Sequence, residues 1–130
     1  MTELTGTDRI TSLLTHFLDT QSRRAQIVSS NIANVDTPGY RAKELDFAEY
    51  LKQAAYDTVA PVKGFPLYQV RALEPGVVEQ IGNPIGIDGN TVDMGREMSA
   101  MAETGMRYLE GVHLLQSRLR TLRTAIREGR

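Results

Sequence analysis

Residues 93–126 read DMGREMSAMAETGMRYLEGVHLLQSRLRTLRTAI, and within them Met94, Met98, Met101, Gly105, Tyr108, Val112, Leu115, Leu119, Leu122 and Ile126 follow one another at alternating spacings of four and three. That is the a/d seam of a heptad repeat, sustained over more than four heptads and free of proline. It predicts one helix roughly 50 Å long at 1.5 Å rise per residue, with an apolar stripe that must be buried against something. Asp93 or Thr91 is placed to cap its start, and Gly129 lies beyond its last seam residue. Gly105 interrupts the seam without a side chain, which marks either a close approach of helices or a slight bend.

Working outward, Ile10, Leu14, Phe17, Val28 and Ile32 fall near a helical period between Asp8 and Val35, with Leu13 and Leu18 widening the stripe. Gln21 and Arg24 stand where apolar residues are expected, so the middle of this helix faces something polar or wet. The helix stops at SNIANVDTPGY, residues 30–40. Thr37-Pro38-Gly39-Tyr40 fits a type II turn, with Gly39 at the position that requires positive φ, and Thr37 is driven out of helical geometry by the proline that follows it. Asn31 and Asn34 share the face at the helix end. They read either as ordinary surface or cap amides, or as groups that cover the last carbonyls and grip the returning chain.

Between the helices, Leu45, Phe47 and Tyr50-Leu51 suggest a short packed segment. Beyond them Pro61, Gly64, Pro66, Pro75, Gly76, Gly82, Pro84, Gly86 and Gly89 punctuate the chain too often for a long helix. Leu67-Tyr68-Gln69-Val70 and Val77-Val78-Glu79-Gln80-Ile81 are strand-like. The fold class is therefore mainly α: long N- and C-terminal helices in a coiled-coil-like hairpin, with an irregular, partly β or extended middle. The chain reads as one elongated subunit over 1–130, with helices at 8–36 and 91–128 and the turn, packed segment and insert at 37–90. The two stripes are satisfied either by each other or by other subunits, and the pattern alone does not choose.

The chain has 130 residues, enough for one core. Its formal charge is −1, which gives no overall bias toward polyanions. The charge is uneven: Arg107 to Arg130 holds six arginines (107, 118, 120, 123, 127 and 130) against Glu110 and Glu128, a local excess of four. These arginines spiral around the helix without interleaved aromatics, so they read as a solvated face or a surface for an acidic protein partner rather than for nucleic acid. Cysteine is absent, which removes disulfides and thiolate metal sites. MTELTGTDRITSLLTHF lacks the basic segment and long apolar run of a cleavable secretory signal, and no stretch has the apolar length of a membrane span.

Catalytic chemistry has little to stand on. His16 and His113 are the only histidines and lack visible co-ligands. Asp88-Gly89-Asn90-Thr91-Val92-Asp93 looks like a calcium loop but lacks its fifth-position ligand, its sixth-position glycine and the closing glutamate. It reads instead as a turn feeding the long helix. Glu97 and Glu103 are expected on an exposed helical face, with Glu103 and Arg107 forming an i,i+4 pair. No catalytic residue, cofactor or metal is assigned.

Two stretches resemble the bacterial flagellar rod and hook axial proteins. The first is the helix-ending motif, matched at Asn31, Asn34, Thr37, Pro38, Gly39 and Tyr40. The second runs from Asp88 to Ile126 and is similar to the C-terminus of proximal rod proteins, matched at Asp88, Gly89, Asn90, Val92, Asp93, Arg96, Glu97, Met98, Arg107 and Tyr108. Gly95 departs from a usually acidic position, and Leu109 stands where an asparagine often follows Arg-Tyr. The resemblance implies a non-enzymatic subunit of the basal body proximal rod, whose terminal helices join the core of an axial tube across the periplasm. It also implies export through the flagellar type III gate without a cleaved signal. The partners implied are copies of itself, other proximal rod proteins, the rod-base adaptor and the MS ring. The alternative is a cytoplasmic coiled-coil adaptor or export-chaperone-like module.

Overall fold

The computed structural model describes residues 2–46 and 76–129, with side chains from residue 10 onward. Four elements follow in order: α1 (Thr2–Ala33), β1 (Lys43–Leu45), β2 (Val77–Glu79) and α2 (Met94–Glu128). The expected strand at Leu67-Tyr68-Gln69-Val70, and Phe47 and Tyr50-Leu51, lie outside the described residues. Among those residues no helix is long and apolar enough to cross a membrane.

Each helix is bounded by the residues that its ends require. In α1 the first turn lies at Thr2 rather than near Asp8, and the last helical residue is Ala33. A run of turns follows, in which Gly39 takes φ +72°. The Asp93 carboxylate caps α2 by accepting the Arg96 N–H at 3.1 Å. At the other end the Gly129 N–H donates to the Ala125 carbonyl at 3.1 Å.

The two helices pack antiparallel. Asn31 meets Glu97, Arg24 meets Glu103 at 3.3 Å, and Phe17 and Leu18 lie against Gly111, so partner numbers run in opposite directions along the pair. β1 and β2 form a two-stranded antiparallel ribbon with Lys43 opposite Glu79, Glu44 opposite Val78 and Leu45 opposite Val77. The ribbon packs on the end of the hairpin where α1 stops and α2 starts. There Val28, Ala42 and Leu45 are the buried apolar residues.

The rotation of α2 differs from what its apolar seam suggests. The line most deeply buried in α2 is Glu97, Thr104 and Gly111, spaced by seven residues and devoid of large apolar side chains. Of the seam, Met101, Val112, Leu115 and Leu122 are half-buried, whereas Met94, Met98, Gly105, Tyr108, Leu119 and Ile126 are exposed. On α1, Val28 is buried, Leu14, Phe17 and Ile32 are half-buried and Ile10 is exposed. Gln21 is fully buried between the helices, and neither of its amide atoms has a hydrogen-bond partner among the described residues. An unsatisfied buried amide costs about 1–3 kcal/mol, so this seam is weaker than its length suggests.

Close approach occurs at Gly111, not Gly105. A Cβ at Gly111 would lie 2.8 Å from Leu18 Cδ2 and 3.0 Å from two Phe17 ring carbons, while one at Gly105 would meet nothing within 4 Å among the described residues. The Phe17 ring needs the notch that only glycine provides, and this helps to set which face of α2 turns inward. Gly111→Val is therefore expected to lower stability by about 1–3 kcal/mol through overpacking, and Gly105→Ala to raise it by about 1 kcal/mol through helix propensity. Urea unfolding of the isolated chain, followed by circular dichroism, measures both.

Candidate functional site

The end of α1 and the segment before α2 are tied together by amide side chains. The turn closes with the Tyr40 N–H donating to the Thr37 carbonyl at 3.2 Å, and it carries Tyr40 back over the helix end. The Tyr40 hydroxyl lies 3.3 Å from both the Asn31 Oδ1 and the Ser30 Oγ. Asn34 uses its side-chain N–H to cover the Ser30 carbonyl at 2.7 Å, and its Oδ1 accepts from the Thr37 hydroxyl at 3.1 Å.

Asn31 is fully buried and uses both ends of its amide. Its Oδ1 accepts the Lys43 N–H at 3.0 Å, and its Nδ2 donates to the Lys43 carbonyl at 2.7 Å and to Glu97 Oε2 at 3.1 Å. The amide thus mimics a strand partner for β1 and reaches across to α2 at the same time. Glu97 was expected on an exposed face. It is instead fully buried, because its other oxygen accepts from Gln80 Nε2 at 2.8 Å. Two amide donors solvate the carboxylate in place of water.

Asn90 performs a second bridging task. Its Nδ2 donates to the carbonyls of Asn34, Val35 and Thr37 at 2.9, 2.9 and 2.8 Å, and its Oδ1 accepts the Val92 N–H at 2.7 Å. One NH₂ carries two hydrogens, so at least one is shared between carbonyls. These carbonyls belong to the turn that follows Ala33, where those of Asn34 and Thr37 also accept the Thr37 and Tyr40 N–H groups, so Asn90 pins that turn from 53 to 56 residues away. Around it the Gly39 N–H donates to the Asp88 carbonyl at 2.9 Å, the Thr91 N–H to the Tyr40 carbonyl at 3.1 Å, and the Ala42 N–H to the Thr91 hydroxyl at 2.9 Å. Gly39 and Gly89, both at positive φ, abut; a Cβ on Gly89 would sit 3.6 Å from the Gly39 Cα.

The outer layer is polar as well. Asn83 donates to the Gln80 Oε1 at 2.6 Å and to the Thr91 carbonyl at 2.8 Å, and it accepts from Arg96, which also lies 3.8 Å from Glu44. Further along the hairpin Glu103 bridges Arg107 at 2.7 Å and Arg24 at 3.3 Å. Pairing with Glu103 accounts for the charged residue in the α1 stripe. Asn31, Asn34, Thr37, Gly39 and Tyr40 thus gather at one junction, together with Glu97, Asn90, Gln80 and Asn83, whose roles the sequence pattern does not announce. Among the described residues no group of three or more His, Asp or Glu is arranged to hold a metal ion. The geometry holds two helix ends and a ribbon in fixed relation.

The junction has a sharp chemical test. Asn90→Asp keeps the size but removes both donors and sets a carboxylate against three carbonyls. Asn31→Asp puts a second carboxylate against Glu97. Each is expected to cost about 2–4 kcal/mol, more than Asn34→Ala at about 1 kcal/mol, in urea unfolding of the isolated chain.

Comparison with known proteins bears on what such a hairpin is for. The family model described as Flagella basal body rod protein matches residues 18–41, the second half of α1 and the turn. The flagellar basal body rod protein FlgB of Escherichia coli strain K12 is 31% identical over 125 residues, covering 86% of this chain and 88% of that protein. FlgB of Aeromonas hydrophila is 30% identical over 130 residues, covering 92% and 94%. FlgB of Salmonella typhimurium is 30% identical over 122 residues, covering 86% and 88%. With the similarity running through both helices and the junction between them, the chain belongs to the FlgB family of flagellar basal body rod proteins.

Proposed function

We propose that this protein is a structural subunit of the proximal part of the flagellar basal body rod, and that it acts by packing rather than by catalysis. The observation that carries the reading is the outward stripe of α2. Met98 is 59% exposed, Leu119 52% and Ile126 73%, on a helix whose other face is already taken by α1. A row of exposed apolar side chains along a helix of 35 residues is a surface made for other helices. Covering it with neighbouring subunits completes a bundle that one chain leaves half built.

In this reading the inward residues Met101, Val112, Leu115 and Leu122 hold the hairpin. The outward Met94, Met98, Gly105, Tyr108, Leu119 and Ile126 form the assembly face. Gly105, open in the single chain, lets a neighbour's helix come close. The junction at Asn31, Asn34, Thr37, Pro38, Gly39 and Tyr40 fixes the angle at which the pair is presented. The weak inner seam suits a chain that is threaded unfolded through the type III export gate and folds among its neighbours. Copies of the chain, other proximal rod proteins, the rod-base adaptor and the MS ring are the partners. No observation favours the alternative of a cytoplasmic adaptor.

Met98→Asp and Leu119→Asp change exposed positions, so the helix content and stability of the free chain are expected to stay within about 0.5 kcal/mol of the parent. Both variants are expected to abolish incorporation into rods and leave cells that depend on them non-motile. Normal swimming and normal rods would overturn the proposal.

A further inference from the structure

The last third of α2 carries two features that the hairpin leaves unused. Leu119 is 52% and Ile126 73% exposed, one heptad apart on the outward seam. Arg120, Arg123 and Arg127 are exposed as well, and no hydrogen bond or ion pair holds them among the described residues. Their spacings of three and four set them in one row along the helix. With Leu119 and Ile126 at heptad position a, Arg123 falls at position e, between them, and Arg120 and Arg127 fall at position b. The line that meets α1, through Glu97, Thr104 and Gly111, runs along position g. The arginine row therefore flanks the outward seam on the side turned away from α1.

Charges along the margin of an apolar seam select the helix that packs there, because like charges on a wrong partner are brought together as the seam closes. Carboxylates that would answer this row are missing from the same face of the chain. On α2, Glu97 is buried, Glu103 is paired with Arg24 and Arg107, and Glu110 and Glu128 fall at positions f and c, off the seam. From residue 10 to Ala33, α1 contributes Asp19 alone. A second copy laid along this stretch would leave most of the row unanswered. A lipid surface is a poorer match than a helix: the exposed apolar surface is a narrow seam rather than a broad face, and α2 has Tyr108 as its one aromatic residue.

We propose that the last third of α2 seats an acidic amphipathic helix of a different protein, its apolar residues against Leu119 and Ile126 and its carboxylates facing Arg120, Arg123 and Arg127. The arginines then act as the residues that choose the partner, and the apolar pair supplies the contact area. The inference rests on the rod-subunit reading only in treating the outward seam as a surface for other helices. It narrows the occupant of this end to an acidic chain other than a copy.

Fluorescence anisotropy of two labelled helical peptides tests this on the full-length chain. Both peptides are about four heptads long, with isoleucine at position a and leucine at position d; one carries glutamate at positions b, e and g, the other lysine. At ~50 mM salt the glutamate peptide is expected to bind the parent chain about tenfold tighter than the lysine peptide, and the preference should fade by ~500 mM salt. Arg120→Glu, Arg123→Glu and Arg127→Glu together should invert the preference, and the same three positions changed to glutamine should erase it. Because these positions are exposed, circular dichroism of both variants should match the parent. Equal or absent binding of the two peptides, or a preference that the arginine variants leave unchanged, would overturn the inference. So would arginine-dependent cosedimentation with vesicles of phosphatidylcholine and phosphatidylglycerol in the absence of any peptide preference, which would assign the row to a lipid surface. Normal rods built by Met98→Asp would instead count against the rod-subunit reading and leave the peptide preference standing.

Discussion

Three buried polar groups hold this molecule in shape: the amides of Asn31 and Asn90 and the carboxylate of Glu97. Left without partners, each would cost more than most apolar contacts in the hairpin return. They can be satisfied together only if the end of α1, the ribbon and the start of α2 meet in one arrangement. Asn31 pairs with the Lys43 backbone and with Glu97. Asn90 pins the carbonyls of the turn that follows α1. This arrangement is specified by donor and acceptor geometry, so it holds the entry angle of both helices even though Val28, Ala42 and Leu45 are the only buried apolar side chains, large or small, among the described residues.

That constraint decides what the rest of the hairpin presents. With Glu97 turned inward, positions one and two heptads on, Thr104 and Gly111, follow it into the interface. The larger apolar residues rotate outward. Inside the seam Gln21 has no hydrogen-bond partner among the described residues, and Arg24 is held by Glu103. The single chain therefore pairs its polar line internally and shows much of its apolar line outside. This distribution is poor for a solitary globule and suited to a member of a bundle.

Local signals in the sequence were legible and distant ones were not. The stop of α1, the positive φ of Gly39, the capping of α2 by Asp93 and the Glu103 to Arg107 pair follow from rules spanning four residues or fewer. The 4-3 spacing announced a long helix with a stripe, and the helical hairpin with a small strand pair is what forms. The rotation of that stripe was not legible, because it depends on Phe17 and Leu18 seating at Gly111 and on Glu97 meeting Asn31 across 66 residues. Glu97 next to Arg96 in an amphipathic pattern looks solvent-facing, and only the donors on Asn31 and Gln80 make its burial tolerable. Asn90 suggested a turn before α2. Its hold on the turn after α1 has no local signature, since donor and acceptors are brought together only by the fold.

As a proposed rod subunit, the chain should have the outer face of α2 bare when free and covered in the rod. Methionine oxidation footprinting reads this directly, because Met98 is 59% and Met106 61% exposed while Met101, on the same helix, is half-buried. In the free chain Met98 and Met106 should oxidise faster than Met101. On assembly into rods the oxidation of Met98 should slow by roughly tenfold or more as neighbouring helices exclude solvent. A Met98 that oxidises equally fast in the free chain and in the rod would contradict the account.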